Sequence, residues 1–162
     1  MGMKRPIIIF PDDRLTTVCE PVKSFDKQLN DLVEDLFQTM YSSDGVGLAA
    51  PQIGELKRIF VMDVRNSKKP HNPLAFINPQ LEAATGSAVD EEGCLSMPGL
   101  FLNVRRATYL HFVSQTLSGD VHWGSLRNLE ARVFQHELDH LDGVLFSVRA
   151  GLEEFATAAG KQ

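Results

Sequence analysis

The chain has 162 residues, 43% of them hydrophobic and 23% charged, a composition suited to one globular domain with a sizeable core. Its 16 Lys and Arg against 21 Asp and Glu give a net charge of −5, which argues against general nucleic-acid binding, since that needs a basic face. The two cysteines, Cys19 and Cys94, make no disulfide framework, and no apolar run approaches the length of a membrane span.

Taken in chain order, the apolar run from Ile7 to Phe10 is too short for a signal peptide and stops at Pro11. The expected setting is the cytoplasm, or an organelle interior of bacterial type, where a thiol stays free. Ser24 to Tyr41 is the first predicted helix. Leu29, Leu32, Val33, Leu36, Phe37 and Met40 form one apolar stripe, with Ser24 or Asp26 as the cap. Asp44-Gly45-Val46-Gly47 breaks it, the glycines reading as turn residues that permit positive φ. Arg58 to Val64 and Leu74 to Ile77 read as strands, the second ending at Asn78-Pro79. Val104 to Val113 is a longer strand, and Ser118-Gly119-Asp120 turns the chain into Val121-His122-Trp123. Leu126 to Leu141 is the second strong helix, with Ser125 as its cap and Gly143 as its stop. Leu152 to Ala159 reads as two helical turns or a frayed end. The predicted fold is α+β: a single domain over residues 1–162, short and mostly antiparallel strands around a central metal-binding helix, with a short tail over 150–162. His71, His111 and His122 follow no ligand spacing; Trp123, the Phe residues and Cys19 are expected to be core.

The chemistry concentrates in Gln135-His136-Glu137-Leu138-Asp139-His140, which contains H-E-x-x-H. On a helix, positions i and i+4 share a face, so His136 and His140 are placed to bind one metal, with Glu137 beside them as a proton carrier. The third ligand decides the class. One large group of zinc proteases continues to a further histidine, and here Phe146 stands at that place. Glu153 and Glu154 are downstream candidates but read as a solvated terminal face. Cys94, between Gly93 and the apolar Leu95 and Met97, is the better third ligand. Three ligands and an open fourth position suit catalysis, whereas a structural zinc site is normally closed by four.

Together with this set, Gly45-Val46-Gly47-Leu48-Ala49-Ala50-Pro51-Gln52 and Glu92-Gly93-Cys94-Leu95-Ser96 make the chain resemble the peptide deformylase family. The resemblance runs through most of the sequence, including Phe10-Pro11-Asp12 and Ile77-Asn78-Pro79. It implies a hydrolase that removes the formyl group from the N-terminal formyl-methionine of new polypeptides. It also implies metal ligation by Cys94, His136 and His140, proton transfer by Glu137, and oxyanion stabilisation by the Gln52 amide and the Leu95 backbone N–H. The backbone at Val46, Gly47 and Gly93 would pair with an extended substrate, and Leu129 and Val133 would line the methionine pocket. The implied cofactor is one divalent ion, Fe²⁺ in the cell, with Zn²⁺, Ni²⁺ or Co²⁺ able to take its place. The expected partners are N-formylmethionyl peptides, with no nucleic acid and no membrane. Ribosome docking by the tail is expected to be weak, because Glu153-Glu154 is acidic. Glu92 is expected to pair with Arg132, and Asp139 with Arg106. An H-E-x-x-H endopeptidase, and a metal- or peptide-binding protein without turnover, are the competing readings. Two places depart from the family: many members carry a glycine shortly before the Ala131-Arg132 pair, where this chain has Asn128-Leu129-Glu130, and Gly99-Leu100-Phe101 makes a more apolar lip.

Overall fold

A computed structural model describes residues 2–151. Its strands are β1 (Gly47–Ala49), β2 (Ile59–Asp63), β3 (Pro73–Thr85), β4 (Ala88–Cys94), β5 (Met97–Arg106), β6 (Tyr109–Gln115) and β7 (Val121–Arg127). The helices are α1 (Lys27–Ser42), α2 (Asn128–Leu141) and the short α3 (Phe146–Arg149). Five strands form an antiparallel sheet in the order β1-β2-β3-β6-β7, and β4 and β5 form a separate hairpin.

The sheet lies between the two long helices. Successive side chains of a strand point to opposite faces. On β2, Phe60 and Met62 pack with Val133, Phe134 and Leu141 of α2. Ile59 and Val61 pack with Leu29, Leu32, Val33, Leu36 and Met40 of α1. Ile59 to Met62 are therefore all buried, which is why this part of the strand reads as an unbroken apolar run. Phe60, Phe76, Phe112 and Phe134 meet with ring centroids 4.9–5.4 Å apart, edge-on or tilted, under α2. A third apolar cluster (Leu15, Met97, Val104, Leu145 and Phe146) fixes the hairpin against α3.

The α1 stripe is as expected except that Phe37 is only partly buried, and Asp26 is the cap, accepting from the Leu29 N–H at 3.1 Å. Elsewhere the elements differ from expectation for local reasons. β3 runs through Asn78-Pro79 by way of a bulge between Ile77 and Gln80. Asn78 takes a left-handed φ of 52° there, and its side chain braces the Val22 backbone at 2.8 and 2.9 Å and Gln115 at 2.7 Å. The single strand expected over 104–113 is two strands in different sheets. Gln135 of α2 accepts the Ala107 N–H at 3.0 Å and donates to the Ala107 carbonyl at 2.9 Å, which takes that residue out of the ladder. β7 continues through Arg127 because β6 offers it a full register of partners from Gln115 to Tyr109. Helix α2 therefore starts at Asn128, and its cap position is Arg127 rather than Ser125. Gly143, at φ 71°, lies just beyond the helix end as expected. Trp123 is 68% exposed on the edge strand and Phe101 is 62% exposed, so neither belongs to the core, while Cys19 does. The two turns expected over 152–159 lie outside the described residues.

Asn128 occupies the left-handed region at φ 53° where the chain leaves β7 for α2. After glycine, Asn is among the residues that tolerate this region best, so it satisfies the conformation a glycine would otherwise supply. Asn128→Val is expected to lower unfolding free energy by about 1–3 kcal/mol in urea melts, whereas Asn128→Gly leaves it near wild type.

Candidate metal centre

Helix α2 carries His136 and His140 on one face, their ring centroids 5.1 Å apart. Cys94 comes from the end of β4, where the register with β5 shifts between Gly93 and Cys94 and the chain turns through Leu95-Ser96 to Met97. This brings the Cys94 Sγ within 3.3 Å of the His140 Nε2. One donor atom from each of Cys94, His136 and His140 lies within 4.8 Å of the others, a spacing that one metal ion could bridge.

The surroundings shift the two histidines in opposite directions. His140 is 1% exposed, and burial, then the positive charges at His136 and Arg106, hold its pKa well below the ordinary histidine value, which keeps it in the neutral form a metal needs. Burial would also lower His136, but bonds to Cys94 and Glu92 and the charge of Glu137 outweigh it and push its pKa up to about 10. His140 Nδ1 and Glu137 Oε1 are buried without a hydrogen-bond partner among the described residues. A cysteine and two histidines grouped beside a cavity fit a three-ligand site with an open side.

A second layer orients the candidate ligands. Glu92, 7% exposed, accepts from His136 Nδ1 at 2.8 Å, which turns Nε2 of that ring toward the ligand cluster. The same carboxylate accepts from Arg106 at 2.9 and 3.0 Å and from Arg132 at 2.6 Å. Burial would raise its pKa, but His136 and Arg106 bring it down to about 2. Arg106 reaches on to Asp139 at 2.7 Å, and Asp139 also receives Arg149 of α3 at 2.8 and 3.0 Å. Both expected pairs are present, joined into one chain by Arg106. Phe146, at the place of the missing histidine, packs on the His136 ring with centroids 5.7 Å apart.

Glu137, 4% exposed, faces the same cavity, and burial is the main cause that pushes its carboxyl up to about 7. A proton carrier works best near the working pH. Gln52 sits on a 3₁₀ turn (Ala50–Ile53) and is 2% exposed. Its Oε1 accepts the Ala49 N–H at 2.9 Å, and its Nε2 donates to Ser96 Oγ at 3.1 Å and lies 3.7 Å from Cys94 Sγ. Gly45 and Gly47 do not take positive φ; Asp44 does, at 55°. The glycines provide room instead. A Cβ on Gly47 would stand 2.6 Å from Glu137 Oε2, and one on Gly45 would stand 2.9 Å from Leu95 Cδ1.

Val46, Gly47, Gln52, Gly93, Cys94, Leu95, Leu129, Val133, His136 and Glu137 all line one cavity of about 420 Å³, with His140 behind them. Val133 is buried, but Leu129 is 52% exposed and belongs to the mouth rather than the inner wall. The buried Ser96 closes the Glu92-to-Ser96 motif, and its role as the partner of Gln52 has no signal in the sequence.

Residues 4–154 match the sequence model of a family described as Polypeptide deformylase. A peptide deformylase of Acidobacterium capsulatum is 44% identical over 147 residues, covering 91% of this chain and 86% of that one. Among solved structures, a peptide deformylase from Thermotoga maritima superposes with a TM-score of 0.86 at 42% identity, covering 91% of this chain and 97% of that one. A class I type b peptide deformylase from Acinetobacter baumannii, solved with Met-Ala-Ser bound, has a TM-score of 0.86 at 31% identity, covering 92% and 99%.

Proposed function

The chain belongs to the peptide deformylase family, hydrolases that remove the N-terminal formyl group from nascent polypeptides, and from that premise we propose how its residues divide the reaction. Cys94, His136 and His140 would hold the divalent ion on which the family depends, with Fe²⁺ as the physiological metal and Zn²⁺, Ni²⁺ or Co²⁺ able to use the same donors. When bound, that ion would supply Lewis acidity, which makes water a usable nucleophile near neutral pH.

Glu137 accepts the proton lost when water adds to the formyl carbon, then delivers it to the departing methionine nitrogen. Its burial and its position on the cavity wall support that role. Charge developing on the formyl oxygen is met by the Gln52 amide and the Leu95 backbone N–H. The peptide lies extended between the Val46-Gly47 backbone and Gly93, as an added strand. The methionine side chain enters the cavity beside Val133, with Leu129 nearer the mouth. Residues 1–162 act as one catalytic unit with a short tail from 150. The partners are formylmethionyl chains in the cytoplasm or a bacterial-type organelle, and the acidic Glu153-Glu154 argues for weak contact of the tail with ribosomal RNA. No helix among the described residues is long and apolar enough to cross a membrane.

The observation that carries this reading is the convergence of three metal donors within 4.8 Å, next to a buried Glu137 in the same cavity. Metal-loaded protein is expected to release formate from formyl-Met-Ala-Ser, to lose that activity with a chelator, and to regain it with Fe²⁺ added anaerobically. No formate from protein carrying its full metal complement would refute the assignment.

A further inference from the structure

Beyond the reaction, we propose that β7 is a self-association edge: two copies of the chain pair their β7 strands antiparallel about a two-fold axis and join their sheets. β7 ends the strand order β1-β2-β3-β6-β7 and pairs with β6 along its whole length. Among the described residues, no backbone group of Val121 to Leu126 bonds to anything beyond that pairing. One row of its N–H and C=O groups therefore points outward, a template for another strand. Such edges are usually blunted by charge, proline, a bulge, shortness or a cover. Val121-His122-Trp123-Gly124-Ser125-Leu126 contains no Asp, Glu, Lys, Arg or Pro, and its register with β6 is unbroken. β1, at the opposite end of the sheet, is only three residues long. Trp123, the single Trp of the chain, is 68% exposed, and Val121 on the same face is 53% exposed. Single exposed apolar residues are ordinary, but these two share one face of an unpaired edge.

Charge and symmetry select a second copy as the partner. Asp120 stands just before β7 and Arg127 at its end, both exposed. They lie about 23 Å apart along an extended strand, so they do not meet within one chain. The Arg127 guanidinium is steadied at the strand end by the Tyr109 ring, 4.4 Å from its centre. Antiparallel self-pairing sets the acidic end of each strand against the basic end of the other, once at each end of the contact. Full overlap of the seven-residue strand centres the two-fold on Gly124. Trp123 of one copy then lies across from Ser125 of the other, a small partner that leaves the indole room to lie over the joined sheet. Such a contact is isologous and closes at two copies. Each side contributes one strand, so the interface is small and association depends on concentration.

Metal-loaded full-length protein is followed from about 1 μM to 1 mM, the range of weak association, by sedimentation equilibrium, Trp123 fluorescence and amide hydrogen exchange. With rising concentration the mass is expected to go from one copy to two. Trp123 emission shifts to the blue as the indole leaves water, and amides within Val121 to Leu126 gain protection. Trp123→Lys raises Kd at least about tenfold, as loss of a central aromatic anchor does. Arg127→Glu raises it as well, and adding Asp120→Arg to that chain restores pairing, a rescue that only contact between copies can give. Formate release per chain stays at the wild-type level, since none of these three residues lines the metal cavity. A monomer across the whole range, a dimer that survives both single substitutions, or a charge swap without rescue overturns the pairing. Protected β7 amides in protein that stays monomeric would assign the edge to a cover within one chain, and overturn it too.

Discussion

Replacing Glu137 with Gln is expected to reduce kcat for formate release by about 10²–10⁴-fold while metal content stays at the wild-type level. The substitution keeps the shape of the side chain and removes its ability to take up and return a proton. Shape is critical at this position, because Gly47 sits so close that even a Cβ there would come within 2.6 Å of Glu137 Oε2. Burial already pushes the carboxyl up to about 7, so the folded protein bears little cost on replacing it with a neutral amide. Metal analysis beside single-turnover formate assays separates the two functions. Activity within a factor of a few of wild type would remove Glu137 from the proton-transfer role, and loss of metal along with activity would assign it to the ligand shell.

The second large effect is on stability. Glu92→Ala is expected to destabilise the protein by about 3–5 kcal/mol, and to weaken metal binding by about 10–100-fold. One carboxylate answers two buried guanidiniums and the His136 Nδ1. Removing it leaves Arg106 with Asp139 and leaves Arg132 with only the Val104 and Ala88 carbonyls. Positive charge then faces positive charge in a dry interior. Urea melts of the chelated protein give the stability change alone, and competition with a chelator gives the metal affinity. A double-mutant cycle of Glu92 with Arg132 isolates their pairing, and a coupling near zero would show that the loss arises from the cavity instead. Unchanged metal affinity in a protein that still folds would exclude Glu92 from orienting His136.

Some features were legible because they are local and periodic. The α1 stripe spells its buried face at helical spacing, and four of the strand-forming Phe and Ile positions sit in runs that no loop would carry. The candidate metal donors were legible for a different reason: chemistry restricts which residue types bind a metal, and H-E-x-x-H offers two of them in one helical turn. Other features gave no such signal. β4 is exposed along most of its length, so it lacks the alternation that marks a half-buried strand. The break between β5 and β6 depends on Gln135, a residue on a helix distant in sequence. Gly45 and Gly47 look like turn glycines in the sequence, because composition cannot distinguish a need for positive φ from a need for space.

By itself, then, the amino-acid sequence carried the motifs of the family resemblance, the candidate metal donors and the two long helices, since each rests on residue type or on spacing along one element. Only the tertiary structure decided how Cys94 reaches the histidines, because that depends on a register shift in a hairpin. It also decided that Arg106 joins Glu92 to Asp139, that Gln52 is buried beside Cys94, and that Leu129 stands at the mouth of the cavity. Those facts are relations between elements far apart in the chain, and packing sets them.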